Sequence, residues 1–352
     1  MDGTPFGQYR LIELLGRGGM GEVWRAYDTV TDRVVALKVL PANFAQDSVF
    51  QQRFRREAHA AGQLNEPHVV PIHTYGEIDG RLFVDMRLIE GRDLQSVLTA
   101  GPLSQERAVR VIEQVATALH AAHQAGLVHR DVKPSNILID ENDFAYLIDF
   151  GIAHAAGETA LTNTGATIGT WSYMAPERFQ GGTADARADI YALACVLYES
   201  LTGQLPFPGQ SLEQIAVSHM TRPPPRPSQV KAGVPTAMDD VIATGMAKNP
   251  DQRYATTVEL ARAAREATTG RLARAGAHRA GAATASARPP RRPHPWPRHP
   301  TCRHRGRARP PTDTRATHRH AAAAKTVEAH IADRGAGGPA RRGRRCRWGA
   351  PA

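Results

Sequence analysis

Apolar residues follow two different patterns along the chain, and the pattern changes near residue 90. Up to about Val84 the apolar stretches are short and rich in β-branched residues, as in Val34–Val39, which is typical of strands. After Gly91, longer segments rich in Ala, Leu and Glu predict helices, and the most apolar of them runs from Ala192 to Leu201. This order predicts an α+β fold with two lobes, a small sheet-rich lobe followed by a larger helical lobe.

The same change sets the expected organisation of the chain. We expect three parts, namely an N-terminal extension over residues 1–8, a folded region over 9–268 and a tail over 269–352. Inside the folded region the small lobe covers about 9–86, the hinge covers Met86–Glu90 and the larger lobe covers about 91–268. The chain has 352 residues, 41% of them hydrophobic, which is enough for two substantial cores.

Glycines recur between two of the predicted strands, in Gly16-Arg17-Gly18-Gly19-Met20-Gly21. Glycine lets backbone amides approach phosphate groups closely. A dinucleotide-binding loop reads similarly, but it should open a helix and carry an acidic residue about 20 residues later. Here a second strand-like run follows, and then Lys38 lies inside the apolar stretch Val34–Val39. The stretch alone favours an exposed strand lysine, because burying a lysine without a partner is costly. With the glycine loop upstream, a lysine that binds phosphate is favoured instead.

Two short motifs carry the side chains that phosphoryl transfer needs. His129–Asn136 reads HRDVKPSN, and Asp149-Phe150-Gly151 follows it. Phosphoryl transfer needs a group that orients the incoming hydroxyl, cations for the phosphate oxygens and oxygen ligands for Mg²⁺. Asp131, Lys133, Asn136 and Asp149 are residues of these types, so the two motifs together supply all three.

These motifs resemble the catalytic loop and the metal-binding motif of eukaryotic-type protein kinases. Further segments extend the resemblance over about residues 9–268, in the family's order: the glycine loop, the Lys38 strand, Gly169–Glu177 ending in Ala-Pro-Glu, Asp189-Ile190-Tyr191 and Asn249–Tyr254. Lys133, two residues after Asp131, follows the serine/threonine pattern. Glu66–His73, Val84–Ile89 and Met246–Pro250 resemble actinobacterial receptor-type serine/threonine kinases in particular. The resemblance implies the two-lobed protein-kinase fold.

The resemblance also implies a binding site for ATP and Mg²⁺, which Mn²⁺ could replace. Asp131 would orient the substrate hydroxyl and accept its proton, and Lys133 would neutralise charge on the γ-phosphoryl group. Asn136 and Asp149 would hold the metal. The residues expected around ATP are Leu15, Gly16, Gly18, Gly21, Val23, Ala36, Lys38, Glu57, Met86, Arg87 and Ile89.

Some of these residues have specific expected partners. Glu57, on a helix predicted over Arg53–Gly62, would hold Lys38. Met86 would be the gatekeeper, and adenine would contact the backbone of Arg87–Ile89. The chain departs from the common pattern at Arg87, where many kinases carry Glu, and at Ala194, which replaces a frequent glycine. We expect the first to alter pocket electrostatics and the second to be a packing change.

Other roles implied by the resemblance are structural or regulatory. Glu177 and Arg253 would form an ion pair, Asp189 would support the catalytic loop, and Thr170 would shape the site of the substrate hydroxyl. Thr162 and Thr164 are expected sites of autophosphorylation. Arg130 would be the partner of such a phosphate, because a phosphate adds nearly two negative charges.

Charge is distributed unevenly along the chain. The total net charge is +10, but residues 271–352 contain 20 Lys and Arg against 3 Asp and Glu, so residues 1–270 carry −7. The total charge therefore does not indicate a nucleic-acid-binding enzyme, and we expect no specific nucleic-acid partner. The tail, rich in Arg, Pro, Ala and His, is expected to be disordered. Its composition suggests a GC-rich gene read out of frame, with a membrane anchor lost or never present; binding to nucleic acid or anionic lipid is the alternative.

The remaining features bear on location. Receptor-type relatives continue into a membrane helix, but this sequence has no run of 18 or more apolar residues and no signal peptide. Its three cysteines form no C-x-x-C motif, which favours a reducing cytosol, and Cys195 is expected in the core. We therefore expect a cytoplasmic enzyme that phosphorylates protein Ser and Thr residues. Relatives often pair through the small lobe, which makes a homodimer a further expectation, and a catalytically silent pseudokinase scaffold is the rival function.

Overall fold

A computed structural model describes residues 3–18, 21–150, 171–182 and 184–270. The predicted regulatory threonines Thr162 and Thr164, together with Thr170 and the basic tail, lie outside these ranges.

The first part of the chain forms a six-stranded antiparallel sheet. Its strands are β1 Thr4–Phe6, β2 Tyr9–Gly18, β3 Gly21–Asp28, β4 Arg33–Val39, β5 Ile72–Ile78 and β6 Arg81–Arg87. They are arranged in the order β1-β2-β3-β4-β6-β5. Helix α1, Ser48–Gly62, lies between β4 and β5 in the chain and is capped by the Asp47 side chain, which accepts the amides of Val49 and Phe50.

Both faces of this sheet are covered by apolar residues. Phe50 and Phe54 of α1 pack with Ala36, Val84 and Met86 on one face. On the other face the packed residues are Phe6, Tyr9, Ala26, Val35, Leu37, Val39 and Phe83. Because side chains alternate along a strand, Lys38 lies on the same face as Ala36, towards α1 and the cleft.

The second part of the chain is mainly helical. Its helices are α2 Leu94–Leu98, α3 Gln105–Gln124, α4 Pro176–Phe179, α5 Ala186–Thr202, α6 Leu212–Thr221, α7 Pro227–Val230, α8 Ala237–Gly245 and α9 Thr257–Thr268. A small sheet of β7 Arg92–Asp93, β8 Ile137–Ile139 and β9 Ala145–Leu147 carries the catalytic motifs. The α+β, two-lobed kinase fold predicted from the sequence is confirmed. Among the described helices, none has the length and apolarity needed to cross a bilayer.

Helix α5 is the centre of the helical core. All of its residues from Ala188 to Thr202 are buried, including Cys195, as expected for a helix that is apolar on every side. The helix begins at Ala186, one turn before the predicted opening at Asp189, because the Asp185 side chain caps it. Gly203, with φ of 71°, ends it in the left-handed conformation that favours glycine.

Two ionisable groups are buried beside α5 among aromatic rings. The amine of Lys248 lies 4.6 Å from the Phe207 ring centroid and 5.8 Å from that of Tyr191. Burial lowers the pKa of Lys248 to about 8. His219, fully buried, lies 2.8 Å through Nδ1 from the Tyr191 hydroxyl, and burial lowers the pKa of its imidazole to about 4. Among the described residues, Nζ of Lys248 and Nε2 of His219 are buried without a hydrogen-bond partner, so both groups carry a burial cost.

Candidate active site

The catalytic loop is anchored from below by the carboxylate of Asp189. Its Oδ2 accepts the backbone N–H of His129 at 2.8 Å, and its Oδ1 accepts that of Arg130 at 2.9 Å. His123 of α3 bonds to Oδ2 at 2.8 Å. Burial alone would raise the pKa of Asp189, but the hydrogen bonds from the His123 ring and from the His129 amide hold it below its ordinary value. A charged carboxylate on the central helix therefore fixes the loop backbone.

The His129 ring joins this loop to the strand that precedes Asp149. Its Nε2 donates to the carbonyl of Ile148 at 2.9 Å, and its Nδ1 accepts the N–H of Asp131 at 3.2 Å. These two bonds are compatible only with a neutral ring protonated at Nε2. The Ile148 N–H also donates to the Asn136 carbonyl at 3.0 Å. The two motifs that the sequence places 18 residues apart are thus held side by side.

Asp131 is the meeting point of the catalytic-loop side chains. Lys133 Nζ lies 2.7 Å from its Oδ2, and the amide nitrogen of Asn136 donates to the same oxygen at 3.1 Å. The Asn136 amide also donates to the Asp131 carbonyl at 2.8 Å. Asp131 is 9% exposed, so its carboxylate is fixed in orientation and still reaches the cleft surface. This arrangement can hold a hydroxyl and accept its proton.

Lys38 and Glu57 have different partners from those predicted. Lys38 Nζ lies 2.8 Å from Oδ1 of Asp149, while Oε1 of Glu57 lies 3.1 Å from Nη1 of Arg130. The predicted Lys38–Glu57 pair is therefore not formed in the described structure, and it stays a prediction for the nucleotide-bound protein. The physical reason is that each buried carboxylate takes a cation within reach, since a buried charge without a partner is costly.

These pairings affect the two carboxylates of Asp149 and Glu57 differently. Burial alone would raise the pKa of Asp149, but the charge of Lys38 and its hydrogen bond, with a smaller effect of Lys133, lower it. Asp149 also has φ of 60°, in the left-handed region that residues other than glycine rarely adopt. The second oxygen of Glu57, Oε2, is buried and has no hydrogen-bond partner among the described residues.

The glycines of the β2–β3 turn differ in why they are needed. Gly21 has φ of 116°, and a Cβ there would lie 2.2 Å from the carbonyl oxygen of Val39, so the fold itself requires glycine. At Gly16 and Gly18 a Cβ would meet nothing within 4 Å, and neither has a positive φ. The fold gives no reason for glycine at these two positions. Open space above bare backbone is what a bound phosphate chain would use.

The predicted adenine-side residues lie around the hinge. Ala36 and Met86 are buried, Val23 is half-buried, and Leu15 is 48% exposed at the mouth of the cleft. The N–H of Arg87 donates to the carbonyl of Pro71 at 2.9 Å, so it is already engaged within the protein. Leu88 and Ile89 pack against the same apolar cluster as Met86. The Arg87 guanidinium lies 5.9 Å from the Tyr146 ring centroid.

Two oxygen-bearing side chains are suited to a divalent metal. Asp149 presents a carboxylate, and Asn136 uses its amide nitrogen for both bonds to Asp131, which leaves Oδ1 as a ligand atom. Within the described ranges no group of three His, Cys, Asp or Glu side chains forms a metal site. Mg²⁺ commonly takes one or two protein oxygens and completes its shell with phosphate oxygens and water, so the pair fits that ion.

Glu177 and Arg253, predicted as a structural pair, form two parallel hydrogen bonds. Arg253 donates from Nη1 to Oε1 at 2.8 Å and from Nη2 to Oε2 at 2.7 Å. Its remaining contacts are the carbonyls of Ala247 and Arg187 and the ring face of Tyr191, 4.9 Å away. This bidentate pair fixes the end of the segment that follows the undescribed residues 151–170.

Two contacts around the catalytic loop were not predicted from the sequence. His123 bonds to Asp189, and Arg178 donates to the carbonyl of Arg130. His123 lies on a helix with one other histidine, His120, so nothing in the pattern singles it out. Arg178 directly follows Glu177, and its place beside the Ala-Pro-Glu motif was the one available signal.

Comparison with known proteins places the chain in a family. Residues 9–264 match the protein kinase domain family, and the chain belongs to it. It is 56% identical over 266 residues to the serine/threonine-protein kinase PknH of Mycobacterium tuberculosis, a match covering 75% of this chain and 42% of that protein. PknE of the same organism is 56% identical over 267 residues, covering 76% of this chain and 47% of PknE. The chain thus spans less than half the length of these curated relatives.

Solved structures give the same fold. The kinase domain of Mycobacterium tuberculosis PknI is 32% identical, with a TM-score of 0.63 and coverage of 76% of this chain and 99% of that domain. The region that matches is therefore a whole catalytic domain of the kinase family.

Proposed function

We propose that the chain is a serine/threonine protein kinase that transfers the γ-phosphoryl group of ATP to Ser and Thr hydroxyls of proteins. Family membership and relatives that carry this name support the proposal. The observation that carries it is the arrangement at Asp131, which holds Lys133 at 2.7 Å and Asn136 at 3.1 Å on a loop fixed by Asp189. A cytoplasmic location and a small-lobe homodimer remain predictions.

In this mechanism the side chains act by position and charge. Asp131 orients the substrate hydroxyl and accepts its proton late in the transfer. Lys133, already beside that carboxylate, is placed to neutralise charge on the transferred group. Because the transition state is loose, most of the rate comes from alignment and electrostatic stabilisation rather than from strong base chemistry.

The nucleotide would lie between the sheet and the helical region. Backbone amides around Gly16 and Gly18 would cover the phosphates, and Lys38 would bind the α- and β-phosphates. Asp149 and Asn136 would hold Mg²⁺, which supplies positive charge to the phosphate oxygens. Lys38 must exchange its bond with Asp149 for phosphate, and Glu57 is then the carboxylate available to orient it.

A labelled-ATP assay with Mg²⁺ tests the proposal, with phosphate transfer to the chain itself and to a generic basic protein as readout. Wild type should incorporate label, and Asp131→Asn should lose it while retaining nucleotide binding. Glu141→Gln, a change of an exposed acid nearby, is the matched control and should behave as wild type. Folded wild-type protein that binds ATP but transfers no phosphate would instead support a pseudokinase scaffold.

Autophosphorylation is proposed at Thr162 and Thr164. The Thr162→Ala/Thr164→Ala double variant should lose most phosphate from the segment 151–170 and most activity towards other proteins. Phosphosite mapping by mass spectrometry, with Thr159→Ala as control, checks this. Wild-type activity in the double variant would contradict the proposed regulation by Thr162 and Thr164. It would leave the proposed kinase reaction unaffected.

A further inference from the structure

A short segment rich in proline joins helices α6 and α7. This proline segment, residues 222–226, reads Arg222-Pro223-Pro224-Pro225-Arg226, and it runs from Pro223 to Arg226 without a turn. Proline fixes its own φ and restricts the residue before it to extended conformations. The residue after the segment is also a proline, so four of the five residues precede one. Arg222 has φ of −77° and ψ of 140°, which are the angles of polyproline II. The sequence of the segment therefore holds it in that conformation.

The faces of the proline segment differ in exposure. Polyproline II has three residues per turn, so side chains three positions apart share a face. Pro224 shares its face with Pro227, which is buried as the first residue of α7. This face is turned towards the protein. Pro223 and Arg226 share another face, and both are exposed. The segment therefore presents a proline ring and a guanidinium to solvent, one turn apart.

Both ends of the proline segment are fixed to the fold. The N–H of Arg222 donates to the carbonyl of Ser218 in α6 at 3.0 Å. Just beyond the other end, Ser228 donates to the Asp239 carboxylate, through its N–H at 3.0 Å and through its hydroxyl at 2.6 Å. A partner that binds the segment would therefore order little of the chain, because the conformation is already formed.

The polar groups of the proline segment are available to a partner. Within the described ranges, the guanidiniums of Arg222 and Arg226 form no hydrogen bond or ion pair, and the carbonyls of residues 223–225 accept no hydrogen bond. The guanidinium of Arg253, by contrast, is paired with a carboxylate. The segment also forms one wall of an open groove between helices of the helical part. A partner can therefore reach it from the outer face and from the groove.

We infer that the proline segment is a docking site for a partner protein that carries an aromatic-lined groove beside acidic side chains. Such grooves, as in SH3 and WW domains, recognise polyproline II that is already formed, because proline rings pack on aromatic side chains. The unpaired guanidiniums of Arg222 and Arg226 supply the second part of the recognition, since each can pair with a carboxylate of the partner. An anionic polymer or membrane would use the two arginines alone and would gain nothing from the three rings between them.

The probe for this site is a WW domain that binds Pro-Pro-Arg peptides, titrated into the full-length protein by calorimetry. The tail also contains Pro-Pro pairs beside arginine, so every protein in the test carries Pro289→Ala, Pro290→Ala, Pro310→Ala and Pro311→Ala. The chain with an intact proline segment should bind the WW domain. Asp131→Asn should bind it equally, so failure of the proposed kinase reaction and failure of this site are separate results.

Two matched pairs of variants identify the contacts. Pro223→Ala should weaken binding about 10-fold, because it removes two methylenes from the aromatic contact. Pro67→Ala, at an exposed proline outside the segment, should leave binding unchanged. Arg226→Gln should weaken binding up to about 5-fold, the upper range for an exposed ion pair, and Arg10→Gln, at an exposed arginine of β2, should not. Circular dichroism checks that each variant is folded.

The same measurements can overturn the inference. Wild-type binding by Pro223→Ala together with weaker binding by Arg226→Gln would indicate contact through charge alone, as to an anionic surface, and would refute the docking site. An equal loss in Pro223→Ala and Pro67→Ala, or no binding of the WW domain by folded protein with the intact segment, would refute it as well.

Discussion

The amine of Lys38 bonds directly to the carboxylate of Asp149, at 2.8 Å. The two residues come from β4 and from the motif after β9, so this single contact joins the sheet to the helical part. It also cancels the two charges that nucleotide and metal would use. In the proposed function, binding of nucleotide and metal would have to separate this pair.

Replacing Lys38 by methionine should nearly abolish phosphoryl transfer. The loss of a cation at the phosphates is expected to cost about 3–4 kcal/mol of transition-state stabilisation, on the order of a few hundredfold in rate. A labelled-ATP assay measures the loss, and circular dichroism checks the fold. Lys231→Met, at an exposed lysine, is the control. Equal activity of Lys38→Met and wild type would refute the phosphate-site assignment.

Asp189→Asn should weaken both stability and catalysis. An asparagine keeps only one acceptor oxygen, so at least one of the amides of His129 and Arg130 loses its bond, at about 1–3 kcal/mol. The rate constant should fall more than the affinity for ATP, because the loop that carries Asp131 is displaced. Urea unfolding and steady-state kinetics measure these effects. Asp251→Asn, at a carboxylate that is 77% exposed, should change neither by much.

The pH dependence of Asp189 has a definite sign. Since its folded pKa is lowered, it stabilises the protein above its ordinary pKa near 4, and that contribution is lost as pH falls through the folded value. The stability difference between wild type and Asp189→Asn should therefore shrink on acidification below about pH 4. A difference that stays constant from pH 7 to pH 3 would show that the carboxylate charge is not what anchors the loop.

Ala194 and Gly245 should behave as a coupled pair. A Cβ at Gly245 would lie 2.7 Å from the Cβ of Ala194 and 3.0 Å from Cδ1 of Leu260. Gly245→Ala alone should destabilise the fold by about 1–3 kcal/mol through overpacking. In the Ala194→Gly background the additional loss should be clearly smaller, giving a coupling free energy of about 0.5 kcal/mol or more in a double-mutant cycle. Additive losses in urea unfolding would contradict this packing relationship.

Lys248→Met should stabilise the protein most at neutral pH. The pKa of Lys248 falls from 10.5 to about 8 on folding, so the unfolded chain binds more protons between these values, and wild-type stability from this group rises with pH across that window. The variant's advantage, about 1 kcal/mol after allowance for solvent screening and the lost contact with Phe207, should shrink towards pH 10. Thermal unfolding at pH 7.5 and 9.5 measures it, with Lys231→Met as control. An advantage independent of pH would contradict the buried-charge account.

The sequence predicted the parts of the site that depend on local order. Asp131, Lys133 and Asn136 lie on one short loop, so their meeting follows from spacing alone. The partners of Lys38 and Glu57 could not be predicted, because they depend on how α1 lies relative to the catalytic loop. The departure at Ala194 could be noticed from the pattern, but its compensation by Gly245 requires two residues 51 positions apart to be seen in contact.

The ion pair between Glu177 and Arg253 can form only late in synthesis of the chain. The two residues are 76 positions apart, and Arg253 is the later one. At about 5–20 residues per second, Glu177 leaves the peptidyl-transferase centre roughly 4–15 s before its partner is made. Until then Glu177 lacks its ion-pair partner. A ribosome that stalls before residue 253 therefore leaves a nascent chain in which this ion pair cannot hold the segment that ends at Glu177.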